Sequence, residues 1–270
     1  MTKVIVAGAA GRMGQRIGYM VHAADNLELA GGFEKSDNPA VGRDIGEVGG
    51  YGTTGIKIAA GLEEIINTGE VIIDFTFHAG TMEHARLAGR HSKAIVIGTT
   101  GLSSENLAEL KTLAEGHFPC VQSPNMAVGV NVLFKVARKV ASILGDDYDI
   151  EIVEAHHRMK KDAPSGTALK LGEMVAAGVG RDLAEVGVYA RHGLIGERSD
   201  KEIGIQTIRA GDIVGEHTVY FAGAGERLEI THRAHSRDNF AKGAALAAAW
   251  VAGKSNGIYT MFDVLGLQDL

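Results

Sequence analysis

Cysteine is almost missing from this chain. Cys120 stands alone among 270 residues, so no internal disulfide can form and a disulfide scaffold is excluded. The reading that needs fewest assumptions is a reducing, cytoplasmic compartment. Proline is also scarce, at four residues, which excludes a proline-rich linker composition. Long apolar runs are missing too. The most apolar stretch, residues 243–253 (GAALAAAWVAG), falls well short of the roughly 18 to 20 residues of a membrane span, and it reads as a buried helix. Lys3 followed by apolar residues 4–10 imitates a short signal peptide, but Arg12 and Arg16 interrupt it before any cleavage-site pattern. Nor is there an excess of positive charge. With 27 Lys and Arg against 33 Asp and Glu, the net charge is −6, and the basic residues form no stripe for a nucleic-acid backbone. Neither nucleic acid nor membrane is an expected partner.

Glycine, in contrast, is abundant. Its 37 residues amount to about twice the usual ~7% share, which points to tight turns and close backbone approaches in a chain that handles a phosphate-bearing ligand. The first half alternates short β-branched runs (4–7, 27–33, 71–75, 94–97, 119–122) with helical patterns (12–23, 81–91, 104–115). Such repetition specifies a parallel α/β sheet, and runs as continuous as VIVAG and VIIDF suit strands covered on both faces. Residues 35–55 break the rhythm with Gly, Asp, Asn and Ser, as a loop beside a ligand or as a variable insertion. A helix is expected over 127–144. Strands at 149–155, 186–191, 202–209, 217–222 and 227–232, with one helix at 165–177, then make a second domain of α+β type. A last amphipathic helix at 236–252 precedes an apolar tail whose docking site the sequence leaves open.

The strongest local signal is Gly8-Ala9-Ala10-Gly11-Arg12-Met13-Gly14, at the join of the first strand and first helix. In a dinucleotide-binding turn such glycines let the chain reverse, let amides approach the pyrophosphate and let helix and strand pack closely. An ordinary glycine-rich turn has the same form. Glu34, just past the second strand, is placed to accept from a ribose hydroxyl of NAD, and Lys35 to meet the 2′-phosphate of NADP; a solvated charge pair is the alternative. Gly98-Thr99-Thr100-Gly101 and Ser123-Pro124-Asn125-Met126 fall at the C-terminal ends of two further strands. There, open α/β sheets bind ligands, although as isolated strings both are also turn signals.

A second constellation, EAHHRMKKDAPSGTA over 154–168, begins on a strand, crosses a basic loop and enters a helix. A proton donor near neutral pH is most naturally a histidine. A nearby lysine can neutralise developing negative charge, and the amides of Ser165-Gly166-Thr167 form an anion site. The loop therefore suits a small acid bearing a carboxylate, while core histidines and a solvated lysine pair explain the same residues without function. His232 and His235 lack a third ligand, and no metal site is expected. Cys120, inside a strand, reads as a buried thiol.

Taken together, VAGAAGRMG (6–14), Glu34-Lys35, DFT (74–76), GTTG (98–101), SPNMAVGVN (123–131), EAHHRMKKDAPSGTA (154–168) and RAHSRDNFAKGA (233–244) resemble the 4-hydroxy-tetrahydrodipicolinate reductase (dihydrodipicolinate reductase) family over essentially the whole chain. The resemblance implies a Rossmann-like parallel-sheet nucleotide domain over 1–126 and 236–270. It implies an α+β substrate-binding and tetramerisation domain with an open mixed sheet over 127–235, and a homotetramer. It implies NADH- or NADPH-dependent reduction of a cyclic, unsaturated imine dicarboxylate in lysine and diaminopimelate synthesis, with hydride going to ring carbon C4. His156 would be the proton donor and Lys160 the second catalytic residue, with His157, Gly166 and Thr167 on the substrate. Gly8, Ala9, Ala10, Gly11, Arg12, Met13, Glu34, Lys35, Gly98, Thr99, Thr100, Ser123, Pro124, Asn125 and Met126 would hold the cofactor. Three other readings compete: a semialdehyde dehydrogenase with Cys120 as nucleophile, a non-catalytic nucleotide sensor, and an isomerase that retains its cofactor.

Overall fold

The computed structural model describes residues 1–270. In chain order it runs β1 (Thr2–Ala7), α1 (Arg12–His22), β2 (Leu27–Phe33), the short α2 (Ile45–Gly49) and α3 (Leu62–Ile65), β3 (Val71–Asp74), α4 (His78–Arg90), β4 (Ala94–Ile97), α5 (Ser104–His117) and β5 (Pro119–Gln122). Next come α6 (Val128–Leu144), β6 (Asp149–His156), α7 (Gly166–Gly178), α8 (Leu183–Val186), β7 (Gly187–Val188), β8 (Ile203–Arg209), β9 (Gly215–Gly223) and β10 (Glu226–Ala234). The chain closes with α9 (Asp238–Val251), β11 (Gly257–Tyr259) and α10 (Met261–Val264). No helix is long and apolar enough to cross a membrane. Two compact units result, Met1–Val128 with Arg237–Gly266, and Gly129–Ser236 with Leu267–Leu270.

The first unit holds a six-stranded sheet in the order β11-β5-β4-β3-β1-β2, with every neighbouring pair parallel. The stretches Val4–Ala7, Val71–Ile73 and Ala94–Ile97 are apolar at every position because both faces are covered there. Val4, Val6, Val71, Ile73, Val96 and Val121 point into one core layer, and Ile5, Ile72, Ile95, Ile97 and Cys120 into the other, as the period of two requires. The alanines of α9 (Ala241, Ala244, Ala245, Ala247, Ala248) are buried in the first layer, so the apolar 243–253 stretch is a core helix. The tail docks in the same unit: Ile258 pairs with Cys120 across β11 and β5, and Met261 is fully buried. From β1 the chain moves outward to β2 and then returns to β3 on the other side of β1. That reversal creates a crevice at the C-terminal ends of β1 and β3, the place where open α/β sheets take ligands.

Residues 35–55 are more ordered than their composition indicates. Asp44 caps α2, accepting from the amides of Gly46 (2.8 Å), Glu47 (3.1 Å), Thr54 (3.1 Å) and Gly55 (2.6 Å). Desolvation alone would raise its pKa, but these bonds bring it to about 2.

In the second unit a five-stranded mixed sheet runs β10-β9-β6-β8-β7. β10, β9 and β6 are antiparallel, while β6, β8 and β7 are parallel. The strand expected at 186–191 shrinks to Gly187–Val188. Beyond it Arg191 binds Glu151 (2.9 and 2.7 Å) and Glu202 (2.5 Å), and Gly193 (φ +79°) and Gly196 (φ +75°) turn the chain away from the sheet. The last four residues leave the first unit, with Lys135 Nζ on α6 donating to the carbonyls of Gln268 (3.2 Å) and Leu270 (2.8 Å).

Candidate active site

Because all strands of the first sheet are parallel, the loops that follow them gather on one edge. The turn after β1 reverses at Gly8 (φ +62°), whose carbonyl accepts from Gly11 N (2.9 Å). α1 then lies so close to the turn that a Cβ on Gly14 would sit 2.0 Å from that carbonyl oxygen. Only glycine fits there. No side chain caps α1, whose first turn carries no acid, so its amides and partial positive charge are available to an anion. Ala10 N donates to Glu34 Oε1 (2.9 Å), which ties the end of β2 to the turn. Gly8, Glu34 and Lys35, together with Thr76, Phe77 and His84, line a cavity of about 650 Å³. Its size and its glycine-lined edge fit the adenosine half of a dinucleotide.

Gly98, Thr99 and Thr100 follow β4, and Ser123, Pro124, Asn125 and Met126 follow β5, on the same edge. Ser123 Oγ donates to the Asn125 carbonyl (3.0 Å). Thr99 is anchored from below by Asp74, which the string DFT contains but to which the sequence assigned no role. Asp74, fully buried at the end of β3, accepts from Thr99 Oγ1 (3.3 Å), Thr81 Oγ1 (3.1 Å), Thr76 N (2.8 Å), Thr76 Oγ1 (2.6 Å) and His84 Nδ1 (2.6 Å). Burial pushes the Asp74 carboxyl up, but the bond and charge of His84, with the Thr76 donors, hold it below the usual range. The carboxylate thus joins the cavity wall at His84 to the loop at Thr99. Its local signal is the string Asp74-Phe75-Thr76 followed by His84, which has no meaning until α4 folds over β3.

The second unit assembles the other candidates at the end of β6. His156 is its last residue and is largely buried. Its Nδ1 lies 2.5 Å from Oε2 of the fully buried Glu154, and an ionised carboxylate only accepts, so Nδ1 carries the proton. Glu154 Oε1 accepts from the backbone N of Ser165 (3.0 Å) and from Thr207 Oγ1 (3.2 Å), and Arg209 grips both oxygens (2.9 and 2.8 Å). Desolvation raises the Glu154 pKa, yet the bonds from His156, Arg209 and Ser165 bring it to about 2. Ser165 caps α7, its Oγ accepting from Ala168 N (3.1 Å), and the helix opens with Gly166 and Thr167. His157 and Lys160 lie on the intervening loop, where Lys160 N donates to the His157 carbonyl (3.1 Å) and Lys160 Nζ meets Asp162 Oδ1 (3.0 Å).

His217, on β9, is a second histidine at this end. Its ring packs edge-on to His156 with centroids 5.2 Å apart, and its Nε2 lies 3.4 Å from Ser165 Oγ. Burial first, then the charge of His156, lowers its pKa to about 3, so it remains neutral beside the candidate acid. Thr207, Arg209 and His217 reach Glu154 and His156 only through strand register, and no local motif marks them. No group of three or more His, Cys, Asp or Glu side chains is arranged to hold a metal ion. Cys120 is fully buried in β5, and burial pushes its thiol far up, which removes the nucleophile that semialdehyde chemistry needs.

Comparison with known proteins agrees over the full chain. Residues 2–126 match the family model described as dihydrodipicolinate reductase, N-terminus, and residues 129–265 match its C-terminal counterpart. A 4-hydroxy-tetrahydrodipicolinate reductase of Desulfotalea psychrophila is 70% identical over 270 residues, covering 100% of both chains. One from Syntrophobacter fumaroxidans is 58% identical over 268 residues, 99% of this chain and 100% of that protein. Among solved structures, a dipicolinate-bound dihydrodipicolinate reductase from Paenisporosarcina sp. TG-14 superposes with a TM-score of 0.75 at 26% identity, over 97% of this chain and 98% of that one. The parallel six-stranded sheet with its glycine turn, the separate mixed sheet and these full-length matches place the chain in the 4-hydroxy-tetrahydrodipicolinate reductase (dihydrodipicolinate reductase) family, NAD(P)H-dependent oxidoreductases of lysine and diaminopimelate biosynthesis.

Proposed function

We propose that this chain reduces its cyclic dicarboxylate substrate with His156 as the proton donor and Lys160 as the cation that holds and stabilises the substrate. One observation carries the reading. A single buried carboxylate, Glu154, binds the ring of His156 through one oxygen and the N-cap amide of α7 through the other, so the acid and an anion-binding helix start are fixed to one another. A reduced nicotinamide, when bound, would supply a hydride to ring carbon C4 of the conjugated, unsaturated imine. The enamine-type anion left on the ring takes a proton from His156 Nε2, the nitrogen that Glu154 does not engage. Gly215 keeps space beside that atom, since a Cβ there would stand 3.1 Å from it. The amides of Gly166 and Thr167 receive a substrate carboxylate, as a helix N-terminus does for anions, and His157 and Lys160 contribute from the loop. A relative with dipicolinate bound supports a small dicarboxylate as ligand.

The first unit serves as the dinucleotide domain and the second as the substrate and tetramerisation domain, in a cytoplasmic homotetramer. Gly8 to Met13 hold the pyrophosphate, and Glu34 and Lys35 face the adenosine ribose. The loops 98–100 and 123–126 serve the nicotinamide end. Glu34 disfavours a 2′-phosphate that Lys35 favours. Partly exposed charges of this kind are worth about 1 kcal/mol or less each, so kcat/KM for NADH and NADPH should agree within about tenfold. Steady-state assays with each cofactor check this, and a hundredfold preference contradicts it.

Lys160→Ala tests the site directly. A cation that holds a carboxylate and also stabilises the transition state acts on both kinetic parameters, so kcat should fall and substrate KM rise. A change confined to the dissociation constant of NADPH would put Lys160 in the wrong site.

A further inference from the structure

We infer that Arg209 is a positioning residue for the reduction, setting through Glu154 how firmly His156 holds its proton and fixing through the Asp162 carbonyl the loop that carries Lys160. The inference rests on the reading of His156 as proton donor. Arg209 ends β8 directly opposite His156, in register across the parallel pair. Its Nη1 donates to Glu154 Oε2 (2.9 Å), the oxygen that also meets His156 Nδ1 at 2.5 Å, and its Nη2 donates to Oε1 (2.8 Å). Nη2 reaches further, to the backbone oxygen of Asp162 (2.6 Å), two residues beyond Lys160 and ion-paired with it. The guanidinium is mostly enclosed, with 18% of the side chain exposed.

The consequence is electrostatic. A lone buried carboxylate at 2.5 Å would bind an imidazolium proton tightly and make a poor acid of it. Sharing that carboxylate with a permanent, forked cation leaves His156 facing a nearly neutral pair, which orients the ring without trapping its proton. Other neighbours do not upset this balance. His217 from β9 is neutral, and burial keeps His232 of β10 below its usual range. On the loop Lys160 is paired with Asp162, and Glu216 of β9 is paired with Arg233 (3.3 Å). From α7 the contact is the backbone of Ser165.

Full-length Arg209→Lys, Glu154→Gln and His156→Ala enzymes test the inference through kcat and KM across pH. The basic limb of kcat/KM reports the acid that must be protonated in the free enzyme. Arg209→Lys keeps the charge but loses the fork, so Glu154 acts more fully on His156. That limb should move up by about one pH unit, within the ~1 to 3 units a charge partner commands, and KM should rise as the Lys160 loop loosens. Glu154→Gln removes the anion, and the limb should move down. Opposite displacements support the inference, whereas limbs that stay fixed or move together overturn it even if both variants are slower. Full turnover in His156→Ala instead overturns the underlying acid assignment. Should thermal melts show either Glu154 or Arg209 variant unfolded, the wild-type enzyme supplies the test by NMR. The Arg209 guanidinium resonances should titrate with the midpoint of the kinetic basic limb, and their failure to do so overturns the inference.

Discussion

Replacing His156 by alanine should lower kcat by about 10²-fold or more, the usual scale for losing a general acid, while cofactor affinity stays nearly unchanged. The ring is the only titratable side chain at the end of β6 that is held by an ionised buried carboxylate and faces a position left open by a glycine. Nothing else there can replace it. His217 is too weakly basic, at about 3, to carry a proton near neutrality, and Lys160 already serves in the proposed mechanism as the cation that holds the substrate. His156 belongs to the second unit and the nucleotide turn to the first, so the substitution should not disturb cofactor binding. Steady-state kinetics with a fluorescence titration of NADPH separate the two effects, and unchanged turnover would remove His156 from the mechanism.

The second large effect is expected at the other end of the reaction. Gly14→Ala places a methyl carbon 2.0 Å from the Gly8 carbonyl oxygen, 2.7 Å from its carbon and 2.9 Å from Ala9 Cα. These are backbone atoms of a turn that is itself hydrogen-bonded to β2 through Ala9 N and the Phe33 carbonyl (3.1 Å), so they cannot give way cheaply. α1 must instead lift from the turn. Overpacking of this kind costs about 1 to 3 kcal/mol, and the displaced amides lose their aim at the pyrophosphate. The dissociation constants of NADH and NADPH should both rise by about tenfold or more, and the melting temperature should fall. Calorimetric titration and a thermal melt check both; unaltered cofactor affinity would mean that the turn does not hold the pyrophosphate.

How far the sequence carried this picture depends on how local each signal is. The parallel sheet was legible because strands covered on both faces must be apolar at every position, as Val4 to Val6 and Val71 to Ile73 are. The glycine turn was legible because contacts inside a seven-residue string dictate it. Asp44 as the cap of α2, with Glu47 three residues later, was a readable start signal inside a segment treated as loop. The shortened β7 was not readable, since Arg191 leaves the strand to reach Glu151, forty residues upstream. Distance in sequence also hid the support of the site. Asp74 meets Thr99, and Glu154 meets Thr207 and Arg209, only once strand register is set, and no pattern within a window of sequence encodes register between β6 and β8. The motif EAHHRMKKDAPSGTA contains the candidate acid His156 together with Glu154 and Ser165, but gave Glu154 no role and held no sign of Thr207, Arg209 or His217.

The most direct test follows the near-ultraviolet absorbance of the reduced nicotinamide while a coupling synthase makes the labile substrate in place from pyruvate and aspartate semialdehyde. Absorbance loss that requires both the synthase and this enzyme, with either NADH or NADPH, is the expected result. Cofactor that binds measurably but is never oxidised under those conditions would contradict the reductase and favour a protein that only senses the nucleotide.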